Sequence, residues 1–288
     1  VVLSVSKVYL NGELMPLEEA RIPVMDRGFL FGDGVYEVIP VYQGRPFRLE
    51  QHMDRLDRSL AAIRLANPLS REGWSELFAR LLADAPGDQS LYVQVTRGAD
   101  SRRNHLFPAA AEPTVFAMAW EARPRGPEVA REGVAAITLD DVRWLRCDIK
   151  SVALLGNVLL RQAAEDAGTE ESILIRDGQV TEGSSTNVFL VSGGEIVTPP
   201  KTNLLLPGIT RDLVLELARE AGLPCAEREV PRSELEVADE VWLTSSSREV
   251  VAVTRLDGRP VGDGRPGPLW HRIDRLYQDY KAQSGGTP

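Results

Sequence analysis

The sequence predicts a two-domain protein of mixed α and β structure, α+β or α/β in class, on three observations. At ~100 to 200 residues per domain its 288 residues make two domains the first expectation, with one large domain as the alternative. Alternating β-branched stretches and amphipathic helical periods occur in both halves. Between the halves, EARPRGPEVAREG (121–133) carries two Pro, Gly and a cluster of charges without a sustained apolar period, the composition of a connector. The expected division is a smaller first domain over 1–121, a linker over 122–133 and a larger domain over 134–288.

The elements follow in order. VYLNGELM around Asn11-Gly12 and VYEVIPVYQGRPFRL around Gln43-Gly44 are hairpin signals, because a short Gly-containing loop sits between β-branched or aromatic residues. Two amphipathic helices come next. One runs from about 50 to 66 with Met53, Leu56, Leu60 and Ile63 on one face; the other spans 70 to 84, capped by Ser70 with Glu72 in its first turn. LYVQVTRG and TVFAMAWEA return to strand, so the first half is α+β. After the connector, VAAITLDDVRW alternates as a strand, and CDIKSVALLGNVLLRQAAEDAG becomes helical beyond Ser151. SILIRDGQVTEG and NVFLVSGGEIVTP add two hairpins, and PGIT opens a helix over 209–221. DEVWLTSSSREVVAVTRLDGRPV supplies late strands before a C-terminal helix with Trp270, Ile273 and Leu276.

Charge narrows the function classes. A net charge of -9 and a pI near 5.1 argue against nucleic acid or an anionic membrane surface as partner. No apolar run reaches the ~20 residues of a membrane span, and VVLSVSKVYL has neither the basic start nor the long apolar stretch of a leader, so the expected location is cytoplasmic. Cys147 and Cys225 do not form a disulfide framework, and His52, His105 and His271 lack a second ligand at metal-site spacing; no metal is expected.

The chemistry-bearing residues are individually ambiguous. Lys150 stands where RWLRCDIK gives way to a helix, among Ile149, Val152, Leu154 and Leu155. Burial there would depress its pKa and free a neutral amine for condensation with a carbonyl; a snorkelling lysine, or one paired with Asp148, fits the position as well. In TEGSSTNVF (181–189), Glu182 precedes Ser185 and its hydroxyl-bearing neighbours. A carboxylate there would keep a ring nitrogen protonated, and the same residues also suit a plain turn between strands. LPGITR puts Leu206 and Gly208 before a helix whose first N–H groups, at Ile209 and Thr210, form a phosphate seat or an ordinary cap. Ser245 and Ser246 end a strand, and Arg55 lies on an early helix, placed to pair with a phosphate.

Together these residues supply an amine for an aldehyde, an acid for a ring nitrogen, and donors for a phosphate. That inventory suits pyridoxal 5′-phosphate. In order and spacing, GDGVYEV, HMDRL, RCDIKS, TEGSSTNVF, LPGITR and TSSSREV resemble the signature of the fold type IV aminotransferases, from about residue 8 to residue 255. The resemblance implies a smaller α+β N-terminal domain and a larger strand-rich pseudobarrel C-terminal domain. It also implies that Lys150 is the Schiff-base lysine and that Glu182 faces the pyridine nitrogen. Arg55, Ile209, Thr210 and Ser246 would hold the phosphate, with Ser185, Gly208 and Ser245 beside them, and Leu206 would pack on the ring.

Substrate choice rests on VTRGADSRRNHLFP (95–108). Arg103 and His105, with Tyr36, are similar to the carboxylate-binding set of the D-amino-acid branch of that family; a solvated basic loop is the plainer reading of the residues alone. The resemblance implies a homodimer, with the Arg-x-His loop supplied by the partner subunit. The implied substrates are D-amino acids and 2-oxo acids such as 2-oxoglutarate and pyruvate. Branched-chain L-amino-acid aminotransferases, R-selective amine transaminases and aminodeoxychorismate lyases share the fold.

Overall fold

The computed structural model describes residues 7–83, 87–123 and 125–285. Residues 1–6, residues 84–86 at the expected end of the second helix, and Pro124 of the connector lie outside the described residues. The chain divides into two compact units: one runs to Arg123 and also takes in Ile149–Leu154, and the other comprises the rest.

The first unit contains β1 (Lys7–Leu10), β2 (Glu13–Pro16), α1 (Arg27–Phe31), β3 (Gly34–Tyr42), β4 (Arg45–Pro46), α2 (Leu49–Ala62), α3 (Arg71–Leu82), β5 (Gln89–Thr96) and β6 (Thr114–Glu121). Its strands form an antiparallel sheet in the order β2-β1-β6-β5-β3-β4. Both hairpins close through two residues of positive φ, Asn11 (48°) with Gly12 (105°) and Gln43 (51°) with Gly44 (76°), the geometry that matches the twist of the flanking strands. Met53, Leu56 and Leu60 of α2 and Trp74, Leu77 and Phe78 of α3 pack with Val35, Ile39, Leu91, Val93 and Val95 from the sheet. Each such side chain contributes ~1.5–3 kcal/mol on burial. α3 starts as expected, with Ser70 Oγ accepting the Gly73 N–H. α2 stops at Ala62, short of the expected 66, because Arg64 turns to φ 57° and the Arg97 guanidinium takes the Ile63 and Arg64 carbonyls.

The second unit contains α4 (Pro127–Glu132), β7 (Val134–Asp140), α5 (Leu155–Asp166), β8 (Glu171–Arg176), β9 (Gln179–Gly183), β10 (Asn187–Ser192), β11 (Glu195–Thr198) and α6 (Ile209–Glu220). It continues with β12 (Cys225–Glu227), α7 (Arg232–Leu235), β13 (Glu240–Ser245), β14 (Glu249–Leu256), β15 (Arg259–Pro260) and α8 (Pro268–Gly285). The sheet path is β12-β11-β10-β13-β14-β7-β8-β9, with β15 on β14. It curls, since β9 at its end turns straight back into β10 near its middle, with Gly183 N–H donating to Thr186 O at 2.7 Å. Ile173, Val188, Leu190, Val197, Val241, Leu243 and Val253 fill the interior. The connector contains α4, with Pro127 in its first turn; six residues are too few for an apolar period to show.

The segment beyond Ser151 differs from the expected helix. α5 begins only at Leu155. Tyr36 N–H donates to Lys150 O at 2.9 Å, Val152 N–H donates to Gly34 O at 3.0 Å, and Ser151 bridges Val35. Backbone groups already bonded to β3 are unavailable to a helical turn, and Ser151 Oγ takes the Ala153 N–H at 3.2 Å. Both cysteines are free thiols, and no described helix is long and apolar enough to cross a membrane.

Candidate active site

Lys150 therefore projects from extended chain lying along β3. Its Nζ sits 4.3 Å from the centroid of the Tyr36 ring, and among the described residues it has no carboxylate partner. Asp148, the sequence neighbour that offered a salt bridge, pairs with Arg146 at 3.0 Å. Tyr36 is half-buried, its ring 5.6 Å from that of Tyr92. The next residue, Glu37, is buried and bridges two side chains from the apolar face of α2. Arg55 meets it with Nε at 2.7 Å and Nη2 at 2.8 Å, and His52 Nδ1 lies 2.8 Å away. Burial alone would raise the Glu37 carboxyl; Arg55 and His52 outweigh it and hold the group well below the usual carboxylate range. Burial also lowers His52, against the pull of Glu37.

Arg103 and His105 lie on an exposed stretch of the same unit. Arg103 stacks over the Phe31 ring of α1 at 4.9 Å, and the His105 ring lies 5.3 Å from it. Arg27 anchors the stretch from below, donating to Asn104 O at 2.5 Å while Asp33 accepts from both Arg27 and Arg97 at 2.8 Å. Among the described residues, Tyr36 has its ring contacts with Tyr92 and Lys150 and not with Arg103 or His105.

In the second unit, β9 carries Glu182 inward to 5% exposure. Its carboxylate accepts from Arg143 Nη1 at 2.5 Å, from Asn187 Nδ2 at 3.2 Å and from the Leu206 N–H at 3.0 Å. Burial pushes Glu182 up to about 7, against the opposing influence of Arg143 and the Leu206 N–H. The hydroxyl run after it is engaged elsewhere. Ser184, Ser185 and Thr186 all donate to the buried Glu171, Ser185 at 2.9 Å and Thr186 at 3.1 Å. Gly208 is the N-cap of α6 and offers no side-chain cap, so the Ile209 and Thr210 N–H groups begin the helix without one. A Cβ at Gly208 would run into the Asn187 side-chain oxygen, which is why glycine stands there. Leu206 holds Asn187 through its carbonyl at 2.8 Å. Ser245 and Ser246 are half-buried at the end of β13, where Ser245 Oγ accepts the Arg248 N–H at 3.2 Å.

The family model for amino-transferase class IV matches residues 34–256. The chain belongs to the class IV aminotransferase family. The D-alanine aminotransferase of Bacillus licheniformis is 45% identical over 274 residues, covering 95% of this chain and 96% of the relative. The Listeria monocytogenes D-alanine aminotransferase is 41% identical over 274 residues, 94% of each chain. Among solved structures, the branched-chain amino acid aminotransferase of Escherichia coli superposes with a TM-score of 0.88 at 28% identity, covering 96% of this chain and 94% of that one. The pyridoxal-phosphate-bound form of a hypothetical aminotransferase from Mycobacterium tuberculosis superposes with a TM-score of 0.82 at 26% identity, covering 94% of this chain and 97% of that one. The fold is accordingly the fold type IV architecture expected from the motifs.

Residue by residue, this class IV aminotransferase keeps Lys150, Tyr36 and Arg55 in one unit, with Lys150 and Tyr36 in direct contact, and Glu182, Leu206, Gly208, Ile209, Thr210, Ser245 and Ser246 in the other. Sequence reasoning missed the partners that hold them: Glu37 and His52 around Arg55, and Arg143, Asn187 and Glu171 around Glu182. Glu37 had a signal, an acid at an inward position of the alternating strand GVYEVIPVY. Arg143 had none, since it comes from an irregular segment 39 residues before its partner.

Proposed function

We propose that the chain is a pyridoxal-5′-phosphate-dependent transaminase moving the amino group between D-amino acids, of the D-alanine and D-glutamate class, and 2-oxo acids such as 2-oxoglutarate and pyruvate. The observation that carries the chemistry is Lys150, an amine held on extended chain against an aromatic ring and not against a carboxylate. The donor set fits the cofactor. Glu182 Oε1 accepts only one donor among the described residues and keeps a lone pair for a ring N–H. The uncapped α6 start with Ile209 and Thr210, and the Ser245 and Ser246 hydroxyls of the same unit, suit a phosphate. Ser185 reaches its neighbours as a hydroxyl already donated to Glu171, so its part is to shape the turn after Glu182.

When bound, pyridoxal phosphate supplies an aldehyde that takes up the amine and a ring that accepts the electron pair released at Cα. Lys150 would hold the cofactor through Nζ and, once freed by substrate, would accept the proton that leaves Cα. Glu182 would keep the ring nitrogen protonated. Tyr36, with Arg103 and His105 of a second copy, would clamp the substrate carboxylate, which sets the face from which the proton leaves.

The D-amino-acid side is supported by relatives named D-alanine aminotransferase at 39% to 45% identity and by the Arg103-x-His105 pair. The homodimer is supported by apolar side chains facing solvent: Phe29, Leu106 and Phe107 in the first unit, and Leu155, Val158 and Leu159 on one face of α5. A cytoplasmic location accords with the free thiols. The likeness to solved branched-chain enzymes favours L-leucine as the second substrate reading. Steady-state assays of D-alanine, L-leucine and an R-amine against 2-oxoglutarate separate the readings, and pyruvate release without an amino acceptor would mark a lyase. D-alanine turnover is expected, and its absence would overturn the proposal.

A further inference from the structure

Four charged side chains of the second unit alternate in sign and are buried or nearly so: Arg176, Asp141, Arg143 and Glu182. Arg176 Nη2 lies 3.1 Å from Asp141 Oδ1. Asp141 grips Arg143 bidentately, from Nε to Oδ1 and from Nη2 to Oδ2, both at 2.9 Å. Arg143 then extends Nη1 to Glu182 Oε1 at 2.5 Å. Thr181 Oγ1 donates to Asp141 at 3.0 Å, and Arg143 Nη2 reaches Leu204 O at 3.3 Å, so the guanidinium plane is fixed on three sides. Burial would raise Asp141, but Arg143 outweighs it and keeps the carboxyl below its ordinary value.

We infer that Arg143, oriented by Asp141, is the positioning residue that favours the ionised form of Glu182. This deepens the reading of Glu182 as the acid at the ring nitrogen and rests on it for its functional meaning. The physical argument is one of charge. Arg143 is the ionic partner of Glu182 among the described residues; Asn187 and the Leu206 N–H are neutral donors. A carboxylate desolvated this far is held ionised by an adjacent cation, and neutral donors alone offset little of the desolvation cost. Even with Arg143 in place, burial pushes Glu182 up to about 7, so it stands where loss of a single neighbouring charge decides its state. A lysine would restore the charge without the two-pronged fit to Asp141. A purely structural role for Arg143 would lower stability and leave the titration of Glu182 in place.

The test is an infrared titration of the full-length chain, freed of cofactor and labelled with isotopic glutamate, following the carbonyl stretch of a protonated carboxylic acid. Glu182→Gln assigns the band by deleting it. In Arg143→Met the midpoint is expected to rise by about 1 to 3 pH units, with Arg143→Lys returning part of the shift. Arg143→Gln, which removes the cation but keeps a hydrogen-bonding side chain, is expected to raise the midpoint as well. An unmoved midpoint in folded Arg143→Met overturns the inference, and should that variant not fold, an unmoved midpoint in Arg143→Gln does the same. Because the titration needs no cofactor, it stands apart from the role of Glu182 in turnover. Failure of that role would appear separately, as full turnover by Glu182→Gln.

Discussion

Glu37 receives two charged or ionisable groups from a single face of α2, and its neighbour Tyr36 lies against the Lys150 Nζ. Removing a buried carboxylate from a guanidinium leaves an uncompensated charge, so Glu37→Gln is expected to lower unfolding free energy by about 3 kcal/mol at neutral pH. The pH dependence has a definite sign. The folded pKa of Glu37 is depressed, so its contribution is complete above the unfolded value of about 4 and is lost as pH falls through the lower folded value. Denaturant unfolding of the two proteins at several pH values checks this: the gap should narrow below about pH 4, and a gap independent of pH contradicts it. Lys150 was legible in the sequence only through its company, because an isolated lysine beside Asp148 reads as a surface ion pair. The structure removes that alternative by giving Asp148 to Arg146. Arg143 was not legible, since no local period links an irregular segment to a carboxylate on β9.

The elements that announced themselves in the sequence are those whose local chemistry permits one outcome. Asn11-Gly12 and Asp177-Gly178 adopt positive φ and join strands in register, as such dipeptides do. The elements that did not are set by distant partners. Ile149–Leu154 runs extended because β3 claims its backbone, and α4 is too short to display an apolar face. The start of α6 depends on a close approach at one residue. Gly208→Ala would push Asn187 aside, and Asn187 ties Glu182 to the Leu206 carbonyl. Cofactor retention is therefore expected to weaken by about tenfold or more, a change of about 1.4 kcal/mol, with the fold retained. Spectroscopic titration with pyridoxal phosphate measures it, and wild-type affinity in Gly208→Ala would remove this geometry from the account.

At the scale of the molecule, composition and alternation led to an expectation of two domains divided at 122–133. They did not indicate that Ile149–Leu154 leaves the unit of its chain neighbours for the other one. Long-range strand contacts of this kind have no signature in a local window. The same scale carries the assembly proposal. Val158 is 58% exposed in the middle of the α5 apolar stripe, and Val158→Asp is expected to shift a dimer to monomer by light scattering while circular dichroism stays unchanged. A wild-type monomer of full activity would contradict a shared carboxylate clamp. The central claim, an amine-exchanging D-amino-acid enzyme built on Lys150, is tested most directly by a half-reaction. The chain loaded with pyridoxal phosphate is mixed with D-alanine or L-leucine, without any oxo acid, while the cofactor absorbance is followed. Conversion to the amine form with D-alanine, little with L-leucine, and neither the bound-aldehyde band nor turnover in Lys150→Ala is the predicted result; conversion by L-leucine alone, or an unaltered Lys150→Ala, would contradict it.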